Sequence, residues 1–216
     1  MLDVGCNSGA VAVQLVAYFQ GASLTAADID EDLIRQAWGH LSFQWSRSKP
    51  ASPLTLQTAN YFPVSAVLDH GHRPQPSNRG NLDTARSMSF PDNVYFTCED
   101  WIVSSRDPAD DPYDIILALS VLKWIHLHHL DGGVRKFFRK AGACLRSGGL
   151  LIIEIQPWTS YEKAIKPKKA PALASNFEKL KLRPDDFDGL LEAEGFNRVA
   201  TIDDLPRSVW LYEKIR

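Results

Sequence analysis

The sequence lacks the features that mark several large classes of protein. Its 216 residues include three cysteines, at positions 6, 98 and 144, and no Cys-x-x-Cys pair. This pattern indicates reduced thiols in an intracellular protein rather than a disulfide framework. No apolar run approaches the ~20 residues of a membrane span, and no signal peptide precedes the predicted fold. We therefore expect a soluble protein of the nucleus or cytoplasm, with no membrane partner.

The sequence also lacks an excess of positive charge, because its 24 Lys and Arg residues face 26 Asp and Glu residues and the formal net charge is −2. The balance gives no global indication of nucleic-acid binding, so any such interaction has to depend on local patches. Three basic runs could contact phosphates, at residues 135–140, 163–169 and 179–183. Each of them could equally be a solvated face.

The N-terminal glycine turn lacks the usual phosphate-binding signatures. It has no Gly-Lys-Ser/Thr ending, and Asn7 interrupts a Gly-x-Gly-x-x-Gly pattern. The turn nevertheless follows a short apolar strand and precedes an apolar helix from about residue 8 to residue 19. Gly5 and Gly9 allow unusual backbone angles and close approach of a ligand. The free N–H groups of the helix N-terminus would face an anion there.

An acidic residue completes this pattern about twenty residues further on. Asp28 ends a second predicted strand, at residues 24–27, where it can accept hydrogen bonds from ribose hydroxyls. Asp-x-Gly-Cys-x-x-Gly followed by Asp-Ile-Asp is similar to motifs I and II of class I S-adenosylmethionine-dependent methyltransferases. The resemblance implies that backbone near Gly5–Gly9 holds the methionine part of S-adenosyl-L-methionine and that Asp28 holds the ribose.

Predicted strands and helices alternate along the rest of the chain. Asp30 is a predicted N-cap, the strands are expected at 94–97, 113–119 and 150–155, and a helix is expected from about Gly133 to Leu145, ending at Gly148-Gly149. A helix opening at Pro184 and an antiparallel pair at 198–202 and 209–213 close the chain. The fold class is therefore α/β, with a doubly wound, mostly parallel sheet and a C-terminal antiparallel hairpin. The resemblance implies that this sheet is class I methyltransferase-like (Rossmann-like).

Two segments depart from this regular alternation. Residues 46–91 are rich in Pro and Ser and lose periodicity, which predicts a partly disordered surface insertion with one short ordered piece at about 54–67. Only two residues precede Asp3, whereas a central strand needs about five. We therefore expect a single methyltransferase domain over residues 1–216 that is truncated at its N-terminus.

Ligands of such sheets bind beyond the carboxyl ends of the strands. After the third strand, Asp100 is a candidate to hold an adenine ring and Trp101 is a candidate to cover it. The alternative is that Asp100 caps a helix and Trp101 is an aromatic residue at the rim. The loop after the fourth strand, residues 120–129, contains three histidines, but no cysteine or carboxylate shares it, which argues against a metal site. The candidate cofactor residues are Asp3, Gly5, Cys6, Asn7, Gly9, Asp28, Ile29, Asp100, Trp101 and Ser120.

Two rarer motifs follow the fourth and fifth strands. They are Leu-Ser at 119–120 with Lys-Trp-x-His-Leu at 123–127, and Glu-x-Gln-Pro-Trp-x-Ser-Tyr at 154–161. Together with residues 207–214, they resemble the bicoid-interacting-protein family of RNA methyltransferases over residues 3–216, except in the insertion. The family's aromatic and basic segment before motif I has no counterpart in this chain.

The resemblance implies methyl transfer to a terminal phosphate oxygen at the 5′ end of a small RNA. Such an oxygen is anionic near pH 7, so the site has to align it and offset its charge rather than supply a strong base. The candidates are Lys123 and Lys163, on loops expected to converge, with Tyr161 and Gln156 as hydrogen-bonding partners. A small-molecule methyltransferase with the insertion as a lid, and a catalytically weak RNA-binding scaffold, remain open alternatives.

Overall fold

The computed structural model describes residues 1–19, 21–49, 58–74, 90–105 and 112–215. Within them the strands are β1 Leu2–Val4, β2 Leu24–Asp28, β3 Val94–Cys98, β4 Tyr113–Ala118, β5 Leu145–Glu154, β6 Phe196–Ile202 and β7 Val209–Lys214. The α-helices are α1 Ala10–Tyr18, α2 Glu31–Arg47, α3 Val64–His70, α4 Leu122–Cys144, α5 Trp158–Ala164, α6 Ala174–Phe177 and α7 Phe187–Ala193. Short 3-10 helices cover Pro171–Leu173 and Pro184–Asp186.

The sheet order is β3-β2-β1-β4-β5-β7-β6. The chain divides into two compact units: unit 1 contains Met1 and Cys6–Asp100, and unit 2 contains Leu2–Gly5 and Trp101–Arg216. None of the helices in the described part of the chain combines the length and the apolar character that crossing a bilayer requires.

Unit 1 is built on two parallel strands, with β2 and β3 paired from Leu24 opposite Val94 to Asp28 opposite Cys98. Helix α2 begins where the sequence predicts, because the Asp30 carboxylate accepts hydrogen bonds from the N–H groups of Asp32 and Leu33. Helices α1 and α2 each bury an apolar stripe against these strands. The buried members of this core include Ala12, Val13, Val16, Leu24, Ala26, Ile34, Ala37, Leu41, Val94 and Phe96.

The described residues of the predicted surface insertion include ordered pieces. Helix α2 continues to Arg47, α3 covers Val64–His70, and the guanidinium of Arg73 lies 4.1 Å from the ring centroid of Trp45. The described residues of the insertion therefore pack on α2, and α3 overlaps the short ordered piece expected at about 54–67. Residues 50–57 and 75–89, including part of the predicted ordered piece at 54–67, lie outside the described residues.

Unit 2 carries the antiparallel edge. Strand β4 runs parallel to β1 and to β5, whereas β7 pairs antiparallel with both β5 and β6. The predicted C-terminal hairpin is thus confirmed, and so is the mostly parallel sheet.

Helix α4 corrects two boundaries. It begins at Leu122, not at Gly133, and the non-helical angles of Leu130 (φ 58°, ψ −168°) divide it. Buried side chains such as Ile125 and Phe138 recur on both sides of this break, so packing holds the two halves. The helix ends at Cys144, and Gly148-Gly149 lie inside β5 rather than at a helix end.

Helix α5 is the third correction, because the proline-rich stretch after β5 was expected to be a loop. Pro157 precedes the first helical residue, where its missing N–H costs nothing. Tyr161 and Ala164, three residues apart, are buried on one face of the helix.

Gly9 and Gly21 allow a matched test of packing in unit 1. Both have positive φ, 69° and 83°. A Cβ on Gly9 would lie 2.7 Å from the Ala37 Cβ and 2.8 Å from the Phe96 Cε1, whereas nothing lies within 4 Å of a Cβ on Gly21. We expect Gly21→Ala to lower the free energy of unfolding by about 1–2 kcal/mol, because alanine is strained at positive φ. Gly9→Ala should lower it by a further ~1–3 kcal/mol, because its Cβ also overpacks the core.

Urea unfolding of both variants, followed by circular dichroism, measures this difference in the free energy of unfolding. Equal losses in the two variants would contradict the tight packing at Gly9.

Candidate functional site

The glycine turn in unit 1 has an unusual backbone. Asn7 (φ 53°) and Gly9 (φ 69°) are both left-handed, and the Gly9 N–H donates to the Cys6 carbonyl at 3.0 Å. Cys6 is buried, and its own N–H donates to the Ala27 carbonyl at 3.0 Å, which ties the turn to the end of β2. No side chain caps the first turn of α1, so its N–H groups remain available to a ligand atom.

The Asp28 carboxylate is held in place at the tip of β2. One oxygen accepts from the Asn7 N–H at 2.8 Å, and the other accepts from the Asp30 N–H at 3.0 Å. Each carboxylate oxygen can accept a further hydrogen bond. Ile29, with 66% exposure, places an apolar side chain directly beside it. This arrangement can bind a diol such as a ribose and offer apolar contact next to it.

Other predicted cofactor residues are less accessible. Asp3 in unit 2 is 3% exposed, and Asp100 in unit 1 is half-buried. Gly5 packs against Val121 within unit 2, because a Cβ there would lie 2.3 Å from the Val121 Cγ2. Its missing side chain is therefore needed for packing, whether or not a ligand also approaches.

Trp101 is a buried residue of unit 2. Its side chain is 4% exposed, and its ring forms an edge contact with Phe137 at 5.7 Å between centroids. The Lys140 ammonium lies over the same ring at 4.6 Å. The tryptophan is thus a core residue of unit 2, which does not support the prediction that it covers an adenine ring.

Three residues from distant parts of unit 2 meet at the carboxyl ends of β4 and β5. Ser120 Oγ donates to Glu154 Oε2 at 2.8 Å and accepts from Arg207 Nη1 at 3.0 Å. Arg207 Nη1 also forms an ion pair with Glu154 Oε1 at 2.6 Å. Ser120 has a left-handed backbone (φ 61°), so the triad holds a strained residue in place.

Gln156 fixes the same turn from the other side. Its side chain is 3% exposed; its amide nitrogen donates to the Ser120 carbonyl at 2.9 Å, and its amide oxygen accepts from the Lys123 N–H at 3.3 Å. Gln156 was predicted to contact the substrate. In the structure, the two hydrogen bonds of the Gln156 amide position the start of α4.

Lys123 is the most buried lysine of the site, with 9% exposure. Its ammonium donates to Ser160 Oγ at 3.0 Å and lies 4.7 Å from the ring centroid of Trp124. Burial lowers its pKa below the usual value, and the charges of Lys169 and Arg207 lower the pKa further, whereas Glu154 raises it. Two other cations and one carboxylate therefore act on the Lys123 ammonium, and this excess of positive charge makes its surroundings attractive to an anion.

Tyr161 and His126 belong to the core below this cluster. Both are almost fully buried, and the Tyr161 hydroxyl lies 3.4 Å from His126 Nδ1. Burial raises the pKa of Tyr161 and lowers that of His126, whose Nε2 contacts Asp131 Oδ1 at 2.8 Å. The prediction that Tyr161 bonds directly to the substrate is not supported by this placement, because its hydroxyl faces the interior.

Lys163 was expected to converge with Lys123. It is exposed on α5, and the cations that act on Lys123 are Lys169 and Arg207. A strand-tip acid at position 154 beside a strand-tip serine at 120 could have indicated the triad. Arg207, on the turn of the C-terminal hairpin, carries no local signal, because only the tertiary fold brings it to β5.

Metal ligation finds no support in the described ranges, which contain no group of three or more His, Cys, Asp or Glu side chains arranged to hold an ion.

Comparison with solved structures identifies the fold. The chain is similar to the N-methyltransferase NodS of Bradyrhizobium japonicum WM9 in complex with S-adenosyl-l-homocysteine, with a TM-score of 0.53 and 12% identity. The similarity covers 100% of this chain and 77% of that one. The predicted class I methyltransferase-like fold is confirmed.

Curated relatives give a more specific similarity. The chain is 29% identical over 243 residues to the 7SK snRNA methylphosphate capping enzyme of Homo sapiens, covering 100% of this chain and 35% of that protein. It is 32% identical over 213 residues to a "probable RNA methyltransferase" of Arabidopsis thaliana, covering 96% and 64%. The chain thus spans between about a third and two thirds of the length of these relatives.

The family comparison covers the part of unit 2 that holds the triad, Gln156 and Lys123. Residues 113–214 match the model of the family described as Bicoid-interacting protein 3 (Bin3), and the family resemblance predicted from the sequence is confirmed.

Proposed function

We propose that this chain is an S-adenosylmethionine-dependent methyltransferase that O-methylates the terminal phosphate at the 5′ end of an RNA. The observation that carries the proposal is the buried Lys123 of unit 2, whose ammonium is held by Ser160 and is influenced by the charges of Lys169, Arg207 and Glu154. The names of the relatives, which are RNA methyltransferases, support an RNA acceptor.

The acceptor chemistry agrees with the residues present. A phosphate oxygen is already anionic, so its lone pair can form the O–C bond while the C–S bond breaks and leaves its electron pair on sulfur. No side chain has to remove a proton. S-adenosyl-L-methionine supplies the electrophilic methyl group when it is bound. The protein's task is to hold the phosphate in line and to offset its charge.

Lys123 is suited to that task because it is largely removed from water. An ammonium that has lost most of its hydration interacts more strongly with an anion than an exposed one does. An incoming phosphate would also counter the repulsion from Lys169 and Arg207 that lowers the Lys123 pKa. Gln156 supports this role indirectly, since it fixes the backbone N–H of Lys123.

The cofactor assignment is supported by the residues of unit 1. The Asp28 carboxylate has acceptor capacity left after its two backbone hydrogen bonds, as two ribose hydroxyls require. The uncapped first turn of α1 and the left-handed turn before it provide N–H groups for the anionic carboxylate of the methionine part.

The direct test is transfer of a tritiated methyl group to matched RNAs that differ only in their 5′ ends. We expect label on the triphosphate or monophosphate RNA and none on the hydroxyl RNA. Label that survives removal of the 5′ phosphates would place the methyl group elsewhere on the RNA and contradict the proposal.

Asp28→Ala tests the cofactor site. Loss of charge-assisted hydrogen bonds should weaken binding of S-adenosylhomocysteine roughly 10- to 150-fold in calorimetry. Asp30→Ala is the matched control, because Asp30 also accepts two backbone N–H groups but serves only to cap α2. Equal affinities of Asp28→Ala and the wild type, both folded, would remove Asp28 from the site.

Lys123→Met tests the phosphate site, because methionine keeps the aliphatic stem and removes the charge. We expect methyl transfer to fall roughly 10²-fold, as for loss of an electrostatic donor. The loss should be greatest on the RNA with the most highly charged 5′ end, and cofactor affinity should stay unchanged. Lys163→Met makes the same change on the exposed face of α5 and should give no dependence on the RNA end.

The decisive quantity is the ratio of kcat/KM on triphosphate and monophosphate RNA. A ratio that is the same in the wild type and Lys123→Met would show that Lys123 does not face the phosphates.

A further inference from the structure

Unit 1 exposes aromatic side chains that the proposed chemistry does not use. Tyr61 is 54% exposed and Phe62 36%, both directly before α3, and Tyr18 at the end of α1 is 61% exposed. The Tyr61 and Phe62 rings contact each other edge to face, with centroids 4.9 Å apart. Large aromatic side chains are costly to leave in water and are enriched at binding surfaces.

The segment that presents Tyr61 is fixed by hydrogen bonds at both ends. At one end the Lys49 N–H donates to the Thr58 carbonyl at 2.9 Å. At the other the Phe62 N–H donates to the Arg47 carbonyl at 2.9 Å, and Arg47 Nε donates back to the Phe62 carbonyl at 3.2 Å. The exposure of Tyr61 is thus built into the fold of unit 1.

Asn60 connects Tyr18 to the segment that presents Tyr61. It has a left-handed backbone (φ 55°), its amide nitrogen donates to the Tyr18 hydroxyl at 2.7 Å, and its amide oxygen accepts from Gln44 at 3.2 Å. Gln44 is 8% exposed, so the bridge is anchored in α2. We define the Tyr61 surface as Tyr18, Lys49, Tyr61 and Phe62.

The charges around this surface are mostly positive. Among the described residues 41–49 and 58–74 the cations are Arg47, Lys49 and Arg73, and the single carboxylate is Asp69. The Lys49 ammonium lies 5.2 Å from the ring centroid of Tyr61. Because the lysine lies over one face of this exposed ring, a base can stack on the opposite face while the ammonium contacts an adjoining phosphate.

We propose that the Tyr61 surface binds a single-stranded segment of RNA, with an unpaired base stacked on Tyr61 and the following phosphate beside Lys49. This inference rests on the proposed function for the class of ligand, and it adds a second RNA contact that lies entirely in unit 1. A protein partner would be expected to use the exposed aliphatic side chains of α3, Val64 and Leu68, which are 44% and 75% exposed. The cation beside the aromatic ring favours RNA.

The experiment measures the fluorescence anisotropy of a 3′-labelled oligouridine of roughly 12 nucleotides, bound to the full chain. A 5′-hydroxyl end keeps the phosphate site of unit 2 out of the measurement. Tyr61→Ala should weaken binding roughly 5- to 150-fold, as for loss of one stacked base. Tyr61→Phe, which keeps the ring, should bind within about twofold of the wild type.

Lys49→Gln tests the phosphate contact. Titrations between about 50 and 200 mM salt should give a slope of log affinity against log salt that is smaller by about 0.7, as for one lost contact to a single strand. Arg35→Gln, which removes an exposed cation paired with Glu31 and Asp32 on α2, should leave the slope unchanged.

Leu68→Ala distinguishes stacking on Tyr61 from non-specific hydrophobic binding to exposed apolar side chains. We expect it to bind the oligouridine like the wild type, and we expect a blunt RNA duplex to be insensitive to Tyr61→Ala because its bases are not free to stack. Absence of binding by the wild type, unchanged affinity in Tyr61→Ala, or an equal loss in Leu68→Ala would each overturn the proposal. Thermal melts of the variants check that they are folded. We expect melting temperatures close to that of the wild type, because Tyr61 lies at the surface.

The two proposals fail separately. If Tyr61→Ala binds the oligouridine normally while Lys123→Met loses methyl transfer, only the Tyr61 surface is wrong. If Tyr61→Ala loses binding while no 5′ phosphate is methylated by the wild type, only the proposed reaction is wrong.

Discussion

The carboxylate of Glu154 is the constraint on which the candidate site of unit 2 depends. It accepts from Ser120 and pairs with Arg207, so it joins the ends of β4 and β5 to the turn of the C-terminal hairpin. With 13% exposure, it is a largely desolvated charge that needs both partners. Loss of either partner would therefore change the position of the other, and with it the turn that leads to Lys123.

The same carboxylate sets the charge balance of the site. Glu154 offsets part of the repulsion among Lys123, Lys169 and Arg207, as its opposite effect on the Lys123 pKa indicates. Without it, three cations would be held together with no counter-charge of their own. With it, the cluster is tolerated in the free protein and still has net positive charge for an anion. The proposed phosphate acceptor would make use of this intermediate balance, because binding and release must both be possible.

Much of the fold could be predicted because local signals and tertiary structure agree. Asp28 ends β2 as expected, and Asp30 caps α2 through the hydrogen bonds predicted for that residue type. The errors arose where a strong local signal was overruled. Gly148-Gly149 and Pro157 indicated a helix end and a loop, but pairing with β4 extended β5, and burial of Tyr161 stabilised α5. Arg207 could not be placed, since a residue 87 positions from Ser120 reaches it only through the sheet.

The two rare motifs combine chemistry and packing for a reason given by helical geometry. Lys123 and His126 lie three residues apart on α4, as do Trp158 and Tyr161 on α5. Ser160 reaches the Lys123 ammonium, whereas Tyr161, the next residue, turns inward to His126 and stacks on Trp158 at 4.9 Å. Adjacent residues of a helix point about 100° apart, so one short motif serves both purposes. The contact between the buried rings of Tyr161 and His126, with centroids 5.6 Å apart, fixes where α5 lies on α4, and that position determines whether Ser160 meets Lys123. Within these motifs His126 and Tyr161 therefore act as the support, and the charge that we propose to face a ligand belongs to Lys123.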